Sequence, residues 1–324
     1  MPVKSFGLTV QSGSPRLIAV AAIKASNARE EVWRPAPRRY SEAMKAMRRR
    51  RRTPRSASVA ERIVAAVTGS SLVGRYGAAV TYLLIHGGGS TARFWDRLVP
   101  LLDGPALAVN LPGRADKPSD LATQTVDAEV ASVVADVLVV APGDPLVVVA
   151  HSSGGLVVPG VVAGLAPSGI VVERIVLNAA LVPEEGGRGL DCMKPHHRDG
   201  LQWAVDEAVE NGEPMIVLGV PDDRDQFRAA YGGDPLTDDD LEFAIDPVRC
   251  VPDTVNHYFQ PVHWSQAAGI PVTYVLNERD RPVSPDNQDV MAARIADLQG
   301  VVRLPGGHCP AITDPQGLVA ALSA

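Results

Sequence analysis

Between residues 80 and 304, short apolar runs alternate with longer segments whose apolar positions recur at helical spacing. The runs are Val80 to Ile85, Ala106 to Asn110, Leu146 to Ala150, Arg174 to Ala179, Val272 to Leu276 and Val301 to Leu304. Apolar side chains on successive residues, not on alternate ones, are what a strand needs when both faces of its sheet are covered. The segments Val126 to Val140, Leu156 to Leu165, Asp286 to Leu298 and Pro315 to Leu322 read as helices. Asp314 is placed to cap the last of these, with Pro315 in its first turn. Leu111 to Pro118 is a loop by its proline and glycine content. The pattern predicts an α/β fold with a mostly parallel, doubly wound sheet.

Residues 183 to about 267 break the alternation. Acidic runs such as Thr237 to Asp240 stand there beside apolar patches such as Met215 to Val220, so the segment reads as an insert capping the sheet. Trp203, Phe227, Tyr231, Tyr258, Phe259 and Trp264 are expected mostly to form the small core that holds this cap down, with the lining of a pocket as their other use.

The chemistry begins where the run Leu146 to Ala150 meets His151-Ser152-Ser153-Gly154-Gly155. A nucleophilic serine on a sharp strand-to-helix turn has strained dihedrals and tolerates only small residues two positions to either side. Ala150 and Gly154 satisfy that around Ser152, whereas Ser153 would have His151 in the forbidden place. A base is offered by His308 in Leu304-Pro-Gly-Gly-His, since an ordinary histidine pKa of ~6.5 suits proton transfer near neutrality. An acid to orient its ring is offered by Asp280 in the loop after Val272 to Leu276. Glu278 is the reserve, and Glu184 and Glu185 are remoter candidates. Three consecutive glycines follow His86, and glycine lets backbone N–H groups approach a bound carbonyl closely; the N–H groups of Gly88 and Ser153 are the candidate oxyanion donors. No Gly-Lys-Ser/Thr follows these glycines, which weighs against a phosphate loop. His196, His197, His257 and His263 lie with Cys192 in the insert without a firm ligand spacing, so no metal is expected. His86 and His151 read as packing or backbone-bonding residues.

The order Ser152, Asp280, His308, together with His86-Gly-Gly-Gly-Ser-Thr91 followed by Phe94-Trp95, resembles the α/β-hydrolase superfamily over about residues 79 to 324. Within it the chain is most similar to the compact esterase branch that includes plant methyl-ester hydrolases and hydroxynitrile lyases. The resemblance implies a serine hydrolase acting on a small or medium carboxylic ester, with no cofactor. Lyases of that branch usually carry a lysine after the catalytic histidine and a threonine after the histidine of the oxyanion strand; here Cys309 and Gly87 stand there. Epoxide hydrolases and haloalkane dehalogenases resemble the chain too but use an aspartate nucleophile, where this one has Ser152. A non-catalytic ligand-binding protein on the same scaffold, or a related lyase or cofactor-free peroxidase, is the alternative reading.

Charge separates the chain into two parts. Residues 1–78 hold sixteen Lys and Arg against four Asp and Glu, whereas the remainder holds fifteen against thirty-three. The unbroken Arg48 to Arg52 cannot be buried, so a disordered basic extension over 1–78 is expected beside a catalytic domain over 79–324. The acidic domain argues against nucleic acid as a partner, and no apolar run long enough to span a membrane is present. Three cysteines cannot pair without one left over, so a cytoplasmic location is expected.

Overall fold

The computed structural model describes residues 17–19, 80–141, 143–213, 217–220, 224–231 and 236–323. Six strands form its main sheet: β1 (Thr81–Ile85), β2 (Ala106–Val109), β3 (Leu146–His151), β4 (Val172–Asn178), β5 (Val272–Asn277) and β6 (Leu298–Leu304). They lie in the order β6-β5-β4-β3-β1-β2, and every neighbouring pair is parallel. This is the parallel, doubly wound sheet that the apolar runs predict.

The reason for the continuous runs is visible in the packing. Along β3, Leu146, Val148 and Ala150 join one buried cluster while Val147 and Val149 join the other, and β1 alternates in the same way. The first cluster is covered by the helices Val126–Val140, Val158–Leu165 and Pro285–Ala292; the second by Phe94, Trp95 and the helix Pro315–Leu322. Burying each such Val or Leu is worth about 1.5–3 kcal/mol, so apolar residues dominate both faces. Two helices of the first layer touch closely, because a Cβ on Gly160 or Gly164 would lie 2.7 or 2.8 Å from a methyl of Val130 or Val134.

Boundaries depart from expectation where tertiary contacts intervene. The helix expected over 286–298 ends at Ala292, and β6 already begins at Leu298. Asp297 holds the chain extended there: its carbonyl accepts the Val272 N–H at 3.1 Å and its carboxylate the Gly269 N–H at 2.8 Å. β6 is an edge strand with alternating exposure, so Gln299 and Gly300 hide its start. Asp314 does cap the last helix, accepting the Gly317 N–H at 2.9 Å.

The insert has its own elements and merges into both cores. Its ends are joined by a short antiparallel ladder between Gly187–Arg188 and Pro261–Val262. Leu201, Val205 and Tyr258 join the first cluster, and Phe227 and Leu241 join the second. Trp203 is half exposed and belongs to neither, a departure from its expected place in the core of the cap; the side chain of Tyr231 is outside the described residues. Within the insert, Val217–Gly219 pairs antiparallel with Asp253–Thr254 and parallel with Leu17–Ala19. Those three residues are the described part of the N-terminal 79; the expectation of a disordered extension otherwise falls outside the described residues. Among the described residues no helix is long and apolar enough to cross a membrane.

Candidate active site

Ser152 sits at the C-terminal end of β3 with φ 52°, in the left-handed region that costs a non-glycine residue about 1–3 kcal/mol. The turn is held from both sides. Ser152 O accepts the Leu181 N–H at 2.9 Å, and a Cβ on Gly154 would stand 2.6 Å from the carbonyl oxygen of His86 and 2.9 Å from that of Ile85. Only glycine fits position 154, as the serine motif requires. Ser152 is partly accessible, whereas Ser153 is buried.

Because β5 and β6 are adjacent and parallel, the loops that follow them leave the sheet side by side. Backbone bonds tie them together: Glu278 N–H to Leu304 O and Arg279 N–H to Gly306 O, both at 2.9 Å. Asp280 and His308, on these two loops, meet at 2.6 Å between Asp280 Oδ2 and His308 Nδ1. His308 Nε2 lies 3.1 Å from Ser152 Oγ. A carboxylate only accepts, so Nδ1 carries the hydrogen and donates, which leaves Nε2 to accept from the serine hydroxyl.

The acid is itself braced. Asp280 Oδ1 accepts the Val283 N–H at 2.8 Å, and Gln288 clamps the same loop through the Asn277 N–H at 3.0 Å and Val283 O at 2.6 Å. The reserve acids lie elsewhere. Glu278 is exposed, Glu184 stands near Arg294, and Glu185 accepts from Ser265 and His263.

Two further histidines hold the frame. His151 stacks on Phe94, with ring centroids 4.7 Å apart, and its Nε2–H donates to His308 O at 2.8 Å, fixing the loop that carries His308. His86 is fully buried, accepting the Leu111 N–H on Nε2 at 3.3 Å and meeting Gly87 O through Nδ1 at 2.8 Å. Burial, reinforced by the Arg114 charge, lowers its pKa to about 3.

This gives a prediction for stability. A depressed histidine pKa means that the unfolded chain binds more protons than the folded one between pH 6.5 and 3, so this contribution is full above 6.5 and is lost as pH falls. Its size is on the order of a few kcal/mol. His257 acts in the opposite sense: burial lowers its pKa, but the charge and hydrogen bond of Glu129 together with the Asp253 charge raise it above the ordinary value. Comparing wild type with His86→Gln isolates the His86 share. Melting temperatures measured from pH 7 to 4 should fall less steeply in the variant, and equal slopes would remove His86 from the account.

The glycine loop completes the site. A Cβ on Gly87 would be 2.8 Å from Ser152 Cβ, and one on Gly88 would be 2.6 Å from Asp253 Oδ2, 2.9 Å from the Tyr258 hydroxyl and 3.3 Å from Ser153 Oγ. Gly89 has φ 67° and donates its N–H to Asp253 Oδ2 at 2.9 Å. Among the described residues neither the Gly88 N–H nor the Ser153 N–H has an acceptor.

Beneath this loop lies a cluster of charges that the sequence reading missed. Arg114, Glu129, Asp253 and His257 are all at most 1% exposed. Arg114 pairs with Asp253 and stands 3.9 Å from Glu129, which meets His257 Nδ1 at 3.3 Å. Burial pushes the Asp253 carboxyl up, but Arg114, His257 and the Thr254 and Gly89 N–H groups hold it below the ordinary carboxylate range. One signal was available: Glu129 occupies the inner stripe of its helix with Val126, Val133 and Val137. Asp253 gave none, since it stands in an insert rich in solvated acids.

Residues 82–322 match the model of the alpha/beta hydrolase family. A probable hydrolase, R7, of Phoma sp. (strain ATCC 20986 / MF5453) is 27% identical over 219 residues, spanning 66% of this chain and 83% of that protein. An extracellular alpha/beta-hydrolase from a Paenibacillus species, described as sharing structural and functional homology to tobacco salicylic acid binding protein 2, aligns with a TM-score of 0.62 and 18% identity over 75% of this chain and 97% of that one. Polyneuridine aldehyde esterase aligns with a TM-score of 0.60 and 16% identity over 76% and 98%. At these identities the structural likeness is one of fold.

Proposed function

We propose that this chain, which belongs to the alpha/beta hydrolase family, is a serine hydrolase that cleaves a small or medium carboxylic ester through an acyl-enzyme intermediate. The observation that carries the reading is the continuous contact from Asp280 Oδ2 to His308 Nδ1 at 2.6 Å and from His308 Nε2 to Ser152 Oγ at 3.1 Å. His308 takes the proton from Ser152 as its oxygen attacks the ester carbonyl. The N–H groups of Gly88 and Ser153 receive the oxyanion, and each such donor is worth about 3 kcal/mol in the transition state. Asp280 keeps the proton on Nδ1 and stabilises the imidazolium. The proton then passes from Nε2 to the departing alcohol oxygen. A water activated by the same nitrogen attacks the acyl-enzyme, and the acid leaves with the serine restored.

The name of one structural neighbour, an esterase, agrees with this choice of bond. Cys309 stands directly after His308, where the resembling lyases usually keep a lysine. The first test is covalent. A fluorophosphonate probe should add one label per chain, mapping to Ser152 and leaving Ser153 unmodified, while p-nitrophenyl butyrate is hydrolysed with a burst equal to the enzyme concentration. An unlabelled Ser152 would overturn the reading.

A further inference from the structure

The glycine loop is gripped by one stretch of the insert. Gly89 O accepts the Val251 N–H at 3.0 Å, Ser90 forms an antiparallel bridge with Cys250, and Thr91 Oγ1 donates to Val248 O at 2.6 Å. Asp253 closes the grip by accepting the Gly89 N–H at 2.9 Å, so both backbone polar groups of Gly89 are held by residues 251–253. The Gly89 N–H belongs to the 88–89 peptide and the Gly89 O to the 89–90 peptide, so two successive planar units are pinned, and the 87–88 unit, which carries the Gly88 N–H, is steered through the Gly88 Cα.

We infer that Asp253 is a positioning residue for the oxyanion site: its buried carboxylate fixes the Gly89 N–H and thereby aims the Gly88 N–H at the ester oxygen. This rests on the serine-hydrolase reading above. A carboxylate so close to a developing oxyanion would oppose it unless neutralised, and the neutralising charge is present. Arg114 is fully buried, contacts Asp253 Oδ1, and is anchored by donating from Nη1 to Pro112 O at 2.8 Å. Asp253 Oδ1 also accepts the Thr254 N–H at 2.8 Å, so the carboxylate has one oxygen for the loop and one for its counter-ion. The Tyr258 hydroxyl, against Ser153, fills the remaining space under Gly88.

Removing Asp253 alone would strand the Arg114 charge in the interior and endanger folding, so the test uses two double variants that both remove the ion pair. Arg114→Met with Asp253→Asn keeps an amide oxygen for the Gly89 N–H; Arg114→Met with Asp253→Leu does not. With p-nitrophenyl butyrate, and rates expressed per burst-titrated site, the Leu double variant should lose about 10²–10³ in kcat with KM little changed. The Asn double variant should recover most of that loss. A trifluoromethyl ketone, whose adduct places an oxyanion in the same site, should bind the Leu variant weaker by the same factor. A merely structural role would lower the titrated fraction and the melting temperature but leave kcat per site unchanged, and that result, or equal losses in both doubles, would overturn the positioning role alone. A wild-type protein that neither hydrolyses esters nor is labelled at Ser152 would instead overturn the hydrolase reading and this inference with it.

Discussion

Ser152→Ala should reduce ester turnover by up to ~10⁶ in kcat while leaving the melting temperature within a few degrees of wild type. Without the hydroxyl there is no acyl-enzyme, and His308 Nε2, 3.1 Å from Ser152 Oγ in the wild type, loses the proton donor it serves. Ser153 cannot substitute, being buried with its side chain against Tyr258. The fold is spared because alanine and serine carry similar strain at φ 52°, and the turn depends on Gly154 and on the bond from Leu181 N–H to Ser152 O, both unchanged. Residual rate above solution should survive from the oxyanion donors alone. Turnover within tenfold of wild type would move the chemistry to another residue. Stoichiometric binding of an ester with no turnover in the wild type would favour a ligand-binding protein on this scaffold.

Asp280→Asn should cost about 10⁴ in kcat with little change in KM. Asp280 Oδ1 accepts the Val283 N–H, so an amide oxygen is retained on that side and the new NH₂ faces His308 Nδ1. A donor in that place drives the imidazole into the other tautomer. Nε2 then carries the hydrogen and cannot accept from Ser152. Glu278→Gln, two residues away but exposed, should remain within twofold of wild type, so the pair separates the effect of the tautomer from that of net charge. Comparable losses in both variants, or none in Asp280→Asn, would leave Asp280 without the role.

Much of this architecture was legible along the chain. β1, β2, β3 and β5 fall within a residue or two of the predicted runs, because a strand buried on both faces has to be apolar at every position. β6 was legible only at its end, since an edge strand alternates and its exposed residues read as loop. Ser152 stood out because its turn forbids large neighbours at 150 and 154, a steric rule that operates over five residues. His308 and Asp280 were legible as types, a histidine and an acid on loops after strands, in the order of the family.

Other features had no local signature. Asp280 was the first choice on paper and Glu278, on the same loop, its reserve, but no local signal shows which is buried; the clamp by Gln288 and the parallel neighbours β5 and β6 give Asp280 the buried position facing His308. The ion pair of Arg114 with Asp253 joins residues 139 apart, and each reads as a solvated loop charge until the insert closes over the glycine loop. Trp203 reads as core by type and is half exposed. The division has one cause. Periodicity, turn sterics and capping act between residues a few positions apart, so they are written into the order of the amino acids, whereas which charges lose their water and which acid meets the histidine depends on the stacking of distant segments, for which a linear chain carries no repeat.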